Sequence, residues 1–207
     1  VLNLINEVQF DTIYHEHFFY LSLVAVEKIF AAAGLRVFDV EELPTHGGSL
    51  RVYACRATAG YAESTAVAAL RAKESAAGLD RLEGYAGFEP RVREVKRAFL
   101  EFLSTARAEG KRIAAYGAAA KGNTFLNYCG VSEKDLICVF DRSREKQGHL
   151  LPGSHLPILD PDEIRRVKPD YLVILPWNLA DEISSLHGYL REWGGHFVTA
   201  IPKIRIF

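Results

Sequence analysis

Residues 111–141 read KRIAAYGAAAKGNTFLNYCGVSEKDLICVFD, and their pattern predicts the fold of the C-terminal half of the chain. An apolar run (RIAAYG) leads through a glycine-rich turn (GAAAKG) and a helical segment (NTFLNYCG) to a second apolar run (LICVFD). Strand, helix and strand in this order predict a parallel pair joined by a crossover helix. The alternation continues with strands predicted at YLVILPW and HFVTAIP. Residues 111–207 are therefore predicted to form a Rossmann-like, doubly wound, mostly parallel sheet.

The first 110 residues carry two further patterns. Residues 23–33 have apolar positions at helical spacing and end at Gly34, and the segments LRVFDVEEL and LRVYACR that follow alternate as strands. Residues 1–57 are accordingly predicted to contribute a terminal helix–strand–strand segment to an α/β fold. Residues 58–110 are rich in Ala, Glu, Arg and Lys and are predicted to be a helical linker with a solvated charged face.

Composition limits the classes of partner. The formal net charge of −1 provides no field for nucleic acid or an anionic membrane, and no apolar run reaches the roughly 20 residues that cross a bilayer. The three cysteines form no Cys-x-x-Cys pair, which argues against a disulfide framework and a cysteine-built metal site. We therefore expect a cytoplasmic protein without a metal ion in this chain. It begins at Val1 and contains no methionine, which indicates part of a longer protein.

The glycine-rich turn has the spacing of a dinucleotide fingerprint at Gly117, Ala119 and Gly122. Alanine stands where the middle glycine would let the backbone approach a pyrophosphate, which weakens the case for NAD or FAD. The remaining feature is a strand-to-helix turn that can bind an anion, with Lys121 and Asn123 beside it. A packing pair of glycines next to an exposed lysine explains the same residues.

Two further positions lie at predicted strand ends. Asp141 ends the second strand, 24 residues beyond Gly117, where a Rossmann carboxylate binds ribose hydroxyls. A turn aspartate explains it nearly as well. Trp177 and Asn178 follow YLVILP at the edge where open α/β sheets bind ligands, although a tryptophan that closes the core is an equal explanation.

The run FDTIYHEHFFYLS, residues 10–22, contains Tyr14, His15, Glu16 and His17 inside an apolar stretch. Buried imidazoles and carboxylates are costly unless they are paired, so a folding core does not require this pattern. Histidine titrates near neutral pH, and the cluster therefore suits proton transfer. A metal-binding His-x-His pair and a hydrogen-bonded surface pair are the alternatives.

This run and four other segments together resemble one family: THGGSLRVY, AAYGAAAKGNTFLNYCG, KQGHLLPGSHLPI and LVILPWNLADEI. The family is the SAM-dependent C-methyltransferases of deoxysugar biosynthesis, which act on nucleotide-linked, usually dTDP-linked, keto sugars. The resemblance covers almost the whole chain and is weakest in the helical middle. It implies that residues 1–57 are the tail of a class I methyltransferase domain and that residues 111–207 are the C-terminal domain.

The resemblance also implies cofactors and roles. S-adenosylmethionine and a zinc ion would be bound by an N-terminal half that this chain lacks, so the chain alone is expected to be inactive. His17 would remove the proton next to the ketone, and Tyr14 and Glu16 would orient the base or stabilise the oxyanion. The residues expected to contact the dTDP-linked keto sugar are His15, Gly117, Ala119, Lys121, Gly122, Asn123 and Asp141.

Two other functions stay open. One is a nucleotide-sugar-binding module in which YHEH is only structural. The other is an NAD-dependent oxidoreductase built on residues 111–207, against which the alanine at position 119 counts.

Overall fold

The computed structural model describes all 207 residues, and its contacts divide the chain into two compact units. The first unit consists of Val1–Val8 and His17–Glu89, and the second of Gln9–Glu16 and Pro90–Phe207. Residues 58–110, predicted to be a helical linker of two or three helices, contain two long helices, and each lies almost entirely in one unit.

The first unit is built around an antiparallel hairpin. Its elements are α1 (Leu2–Asn6), α2 (Leu23–Ala32), β1 (Leu35–Leu43), β2 (Ser49–Arg56) and α3 (Thr65–Ala76). The predicted helix–strand–strand order is confirmed, and the two strands form a sheet of their own. One apolar cluster joins the helices to the hairpin, and its buried members are Leu2, Leu23, Val26, Val37, Val40, Val67, Leu70 and Leu79.

A buried carboxylate holds the beginning of α2. Glu74 is only 2% exposed and accepts hydrogen bonds from the backbone N–H groups of Leu23 (2.9 Å) and Val24 (3.0 Å). The Ser22 hydroxyl caps the same helix by accepting from the N–H of Ala25 at 3.1 Å. The first N–H groups of a helix have no partners within the helix, so these side chains satisfy donors that would otherwise be lost on burial. Glu74 thereby fixes the point at which the chain leaves the YHEH segment and becomes helical.

Replacing Glu74 with alanine is expected to lower the free energy of unfolding of the first unit by about 3 kcal/mol, because two helix N–H groups lose their charged acceptor. Urea denaturation followed by far-UV circular dichroism measures this loss. Glu83→Ala is the matched control, since Glu83 is exposed in the same unit. An equal effect of the two substitutions would contradict the capping role.

The second unit contains the predicted mostly parallel sheet, and this part of the fold prediction is confirmed. Its six strands are β3 (Ile113–Tyr116), β4 (Val139–Phe140), β5 (Ile158–Leu159), β6 (Tyr171–Ile174), β7 (His196–Thr199) and β8 (Arg205–Ile206). They stand in the order β5-β4-β3-β6-β7-β8, and only the last pair, β7 and β8, is antiparallel.

Helices cover this sheet. They are α4 (Phe88–Ala108), α5 (Ala120–Cys129), α6 (Ile164–Val167) and α7 (Ala180–Leu186). The side of α4 that carries Val92, Val95, Phe99 and Leu103 is buried, and the Phe99 ring lies 4.8 Å from that of Phe125 in α5. None of the helices combines the length and the apolar character that a membrane crossing requires.

The order of the strands creates a natural ligand edge. The chain moves outward from β3 through β4 to β5 and then returns to β6 on the other side of β3. Tyr116 of β3 and Ile174 of β6 are neighbours in the register, so the loops after these strands meet at one edge. Open α/β sheets bind ligands at such a switch point, beyond the carboxyl ends of the strands.

Candidate functional site

The two glycines of the turn after β3 are required by close packing. Gly117 has a φ of +97°, and a Cβ on it would lie 2.4 Å from Cδ of Pro176. A Cβ on Gly122 would lie 2.8 Å from Cβ and Cδ1 of Leu175. The turn and α5 therefore press directly on the end of β6, as the packing explanation requires. Anion binding at Gly117 and Gly122 stays a prediction.

Asp141 joins the loops that follow β3 and β4. Its Oδ2 accepts a hydrogen bond from the N–H of Ala118 (2.7 Å), and its Oδ1 accepts one from the N–H of Ser143 (2.8 Å). Lys146 Nζ lies 3.5 Å from Oδ2 and donates to the carbonyl of Ala118 at 2.9 Å. Both carboxylate oxygens thus have partners within the chain. Substrate binding by Asp141 stays a prediction.

The beginning of α5 is open. The helix starts at Ala120, so Lys121, Gly122 and Asn123 lie in its first turn, whereas the sequence predicted the helix from position 123. The N-cap residue is Ala119, and no side chain caps the helix. Its first N–H groups can therefore bind an anion. Asn123 adds a buried Oδ1 without a hydrogen-bond partner.

Lys121 lies against the loop that follows β6. Its Nζ is 4.9 Å from the centroid of the Trp177 ring and 3.5 Å from Oδ1 of Asn178. Burial lowers the pKa of Lys121, and the negative charge of Asp11 partly opposes that shift. The loops after β3 and β6 thus bring together the lysine, the tryptophan and the asparagine that the sequence analysis considered.

Asp11 is the residue of this site that the sequence analysis missed. It is 1% exposed, and its Oδ2 accepts a hydrogen bond from Trp177 Nε1 at 2.8 Å, while its buried Oδ1 has no partner. Burial is the main reason that the pKa of Asp11 is raised to about 6, and the Trp177 hydrogen bond and the Lys121 charge act in the opposite direction. An acid within the apolar run FDTI was the available signal.

The segment around Asp11 is also held by aromatic packing. The Phe10 ring lies 5.0 Å from the Tyr128 ring and 5.9 Å from the Phe125 ring, both on α5. Residues Gln9–Glu16 therefore belong to the second unit although they are distant from it in sequence. The β3–β6 edge and α5 thus position the chain three residues before Tyr14.

The four YHEH residues differ in burial and in unit. Tyr14 is half-buried, whereas His15, Glu16 and His17 are exposed. Tyr14, His15 and Glu16 belong to the second unit, and His17 is the first residue of the segment that returns to the first unit. The His17 ring lies 6.2 Å from the Tyr20 ring. No group of three His, Cys, Asp or Glu side chains suited to a metal ion occurs in the structure, so the His-x-His pair has no third ligand there.

Comparison with known proteins decides the family. Residues 44–202 match the family described as the C-methyltransferase C-terminal domain. This chain belongs to that family. It is also 38% identical over 206 residues to C-methyltransferase NovU of Streptomyces niveus, an alignment that covers 100% of the chain and 49% of NovU. The chain spans about half the length of this curated relative.

The C-methyltransferase C-terminal domain match includes the whole β3–β6 edge but begins after YHEH, whereas the similarity to NovU covers the whole chain. The resemblance to C-methyltransferases stated from the sequence is confirmed. The roles assigned to individual residues remain predictions, and the geometry above provides the basis on which they can be tested.

Proposed function

We propose that this chain is the part of a SAM-dependent C-methyltransferase that binds a dTDP-linked keto-deoxysugar and deprotonates the carbon next to its ketone. The observation that carries the proposal is the exposed imidazole of His17 in the YHEH motif. The residues that precede it, Gln9–Glu16, belong to the second unit, where Asp11 accepts a hydrogen bond from Trp177. The rest of the enzyme would hold S-adenosylmethionine and a zinc ion.

The chemistry needs a base at the carbon and a donor at the oxygen. A neutral His17 ring takes the proton from the carbon next to the ketone, and the electron pair moves to the ketone oxygen to form an enolate. Tyr14 and Glu16 orient the base or stabilise the developing oxyanion. S-adenosylmethionine held by the rest of the enzyme would supply the methyl group to the enolate carbon and would leave as a neutral thioether.

The turn after β3 does not fit a methyl donor or a dinucleotide. The backbone N–H and C=O of Ala118 are already bonded to Asp141 and Lys146, and Pro176 fills the space beside Gly117. This supports a donor site elsewhere in the enzyme, and it counts against the NAD-dependent oxidoreductase.

The beginning of α5 suits the diphosphate of the sugar nucleotide. Its uncapped N–H groups and the Lys121 ammonium provide donors for phosphate oxygens at the ligand edge. In this arrangement the phosphates approach the end of the helix and do not cross the crowded Gly117 turn.

Lys121→Ala is expected to weaken dTDP binding by about tenfold, because one charge-assisted phosphate contact is lost. Calorimetric titration of the protein with dTDP, beside NAD and S-adenosylmethionine, measures this change. Lys134→Ala is the control, since Lys134 is exposed beyond the opposite end of α5. Saturable binding of NAD in place of dTDP would favour the oxidoreductase, and equal dTDP affinity in both variants would remove Lys121 from the site.

A further inference from the structure

A cavity lies at the carboxyl edge of the sheet, on residues that the proposed function does not use. It has a volume of about 400 Å³ and is lined by the ends of β3 and β4, the loop after β5 and the segment that follows α7. We call it the arginine cleft, after Arg142 and Arg144 in its wall. Its volume falls within the range of small-molecule sites, roughly 300–1,000 Å³.

One wall of the arginine cleft is aromatic and held in place. The ring centroids of Tyr116 and His187 are 4.9 Å apart, and His187 Nδ1 lies 2.9 Å from the hydroxyl of Tyr189. The guanidinium carbon of Arg165 stacks 3.9 Å from the centroid of the Tyr189 ring. Flat aromatic groups fixed in this way can bind the face of a planar base.

His187 contributes an unsatisfied polar group. It is 5% exposed, and its Nε2 is buried without a hydrogen-bond partner. Burial is the main cause of its lowered pKa; the nearby Arg142 charge acts in the same direction, and the Asp162 charge opposes it. A buried polar atom without a partner is unusual in a native fold.

The rest of the lining carries charges of both signs. Arg142 and Arg144 lie in the loop after β4 and are exposed, and Asp160 and Asp162 of the loop after β5 also line the cleft. Arg142 is 4.0 Å from Glu182, a weak surface pair, and Arg144 forms no ion pair. One guanidinium group can donate two parallel hydrogen bonds to the oxygens of a phosphate. In doubly wound folds, the loop after the second strand holds the sugar of a nucleotide.

We propose that the arginine cleft binds the nucleoside and first phosphate of a nucleotide, with Arg142 and Arg144 on the phosphate and the Tyr116–His187–Tyr189 wall on the base. The identity of the nucleotide, dTDP, rests on the proposed function. In this arrangement the second phosphate, which carries the sugar, lies at the beginning of α5. The cleft thus accounts for the nucleoside part of the substrate.

A nucleoside monophosphate separates the two sites. We expect the protein to bind dTMP saturably in calorimetric titration. Arg144→Ala is expected to lower the affinity for dTMP about tenfold through loss of a charge-assisted contact. Lys121→Ala is expected to leave the affinity for dTMP within about twofold of the parent while it lowers the affinity for dTDP. Arg97→Ala, an exposed arginine on α4 of the same unit, is the control and should change neither.

The outcomes distinguish this proposal from the proposed function. If Arg144→Ala binds both nucleotides as the parent does, while Lys121→Ala still lowers the affinity for dTDP, the arginine cleft is overturned and the phosphate site at α5 is kept. Binding of UMP or AMP but not dTMP, with the same dependence on Arg144, keeps the cleft and overturns the choice of dTDP. Failure of dTMP, UMP and AMP all to bind overturns the cleft.

Discussion

In the C-methyltransferase to which we propose that this chain contributes, His17→Gln is expected to lower kcat by about 10²–10⁴-fold, the range supplied by general acid–base catalysis. Glutamine keeps much of the size and polarity of histidine but cannot accept the proton. Because the proposed role is confined to the transition state, the affinity for the sugar nucleotide should change little. Isotope exchange separates proton removal from methyl transfer: in deuterated water without a methyl donor, the parent should exchange the proton next to the ketone and the variant should not.

His15→Gln is the matched control, because His15 is a second exposed imidazole two residues away. It should retain isotope exchange, with any loss appearing mainly as a higher KM. If His17→Gln keeps the parental rate at saturation but loses affinity for the sugar nucleotide, His17 is a binding residue and the base assignment is wrong.

The second large effect is expected on stability, through Asp11. The pKa of this buried carboxyl is raised to about 6 from an ordinary value of 3.8. The folded state therefore holds the proton more tightly than the unfolded chain does. The stabilising contribution of the neutral acid is complete below a pH of about 4 and is lost as the pH rises through about 6, a total change of about 3 kcal/mol.

Asp11→Asn removes this titration while the amide oxygen can still accept the Trp177 hydrogen bond. Relative to the parent, the variant is expected to gain about 3 kcal/mol of unfolding free energy between pH 4 and pH 8. Urea denaturation followed by tryptophan fluorescence reports on the correct unit, since Trp177 and Trp193 both lie in the second.

Asp181→Asn is the control for Asp11→Asn, because Asp181 is exposed in the first turn of α7. It should not reproduce the pH-dependent gain. A constant difference between Asp11→Asn and the parent across this pH range would mean that Asp11 is charged in the folded state throughout, and that Lys121 compensates for its burial.

Much of the fold was predictable because local patterns and tertiary packing agree. The alternation of apolar strands and helices from residue 111 onward requires parallel pairing, and the β1–β2 hairpin follows from two alternating runs around a glycine turn. The sequence pattern places the start of α5 three residues too late, because the glycine-rich stretch resembles a turn although Lys121 and Gly122 are helical. Glycine is required at position 122 because Leu175, directly after β6, leaves no space for a side chain.

The parallel α/β architecture, the YHEH motif and the family resemblance follow from the sequence alone, because each depends on contiguous residues. The tertiary structure was needed to show that Asp11 accepts a hydrogen bond from Trp177, 166 positions away, and that Tyr116, Arg142 and His187 line one cleft. Such meetings depend on the order of strands in the sheet, which brings distant loops to one edge. Asp11 becomes buried, and its pKa is raised, only when that edge forms. His187 Nε2 is likewise buried without a hydrogen-bond partner only in the folded structure.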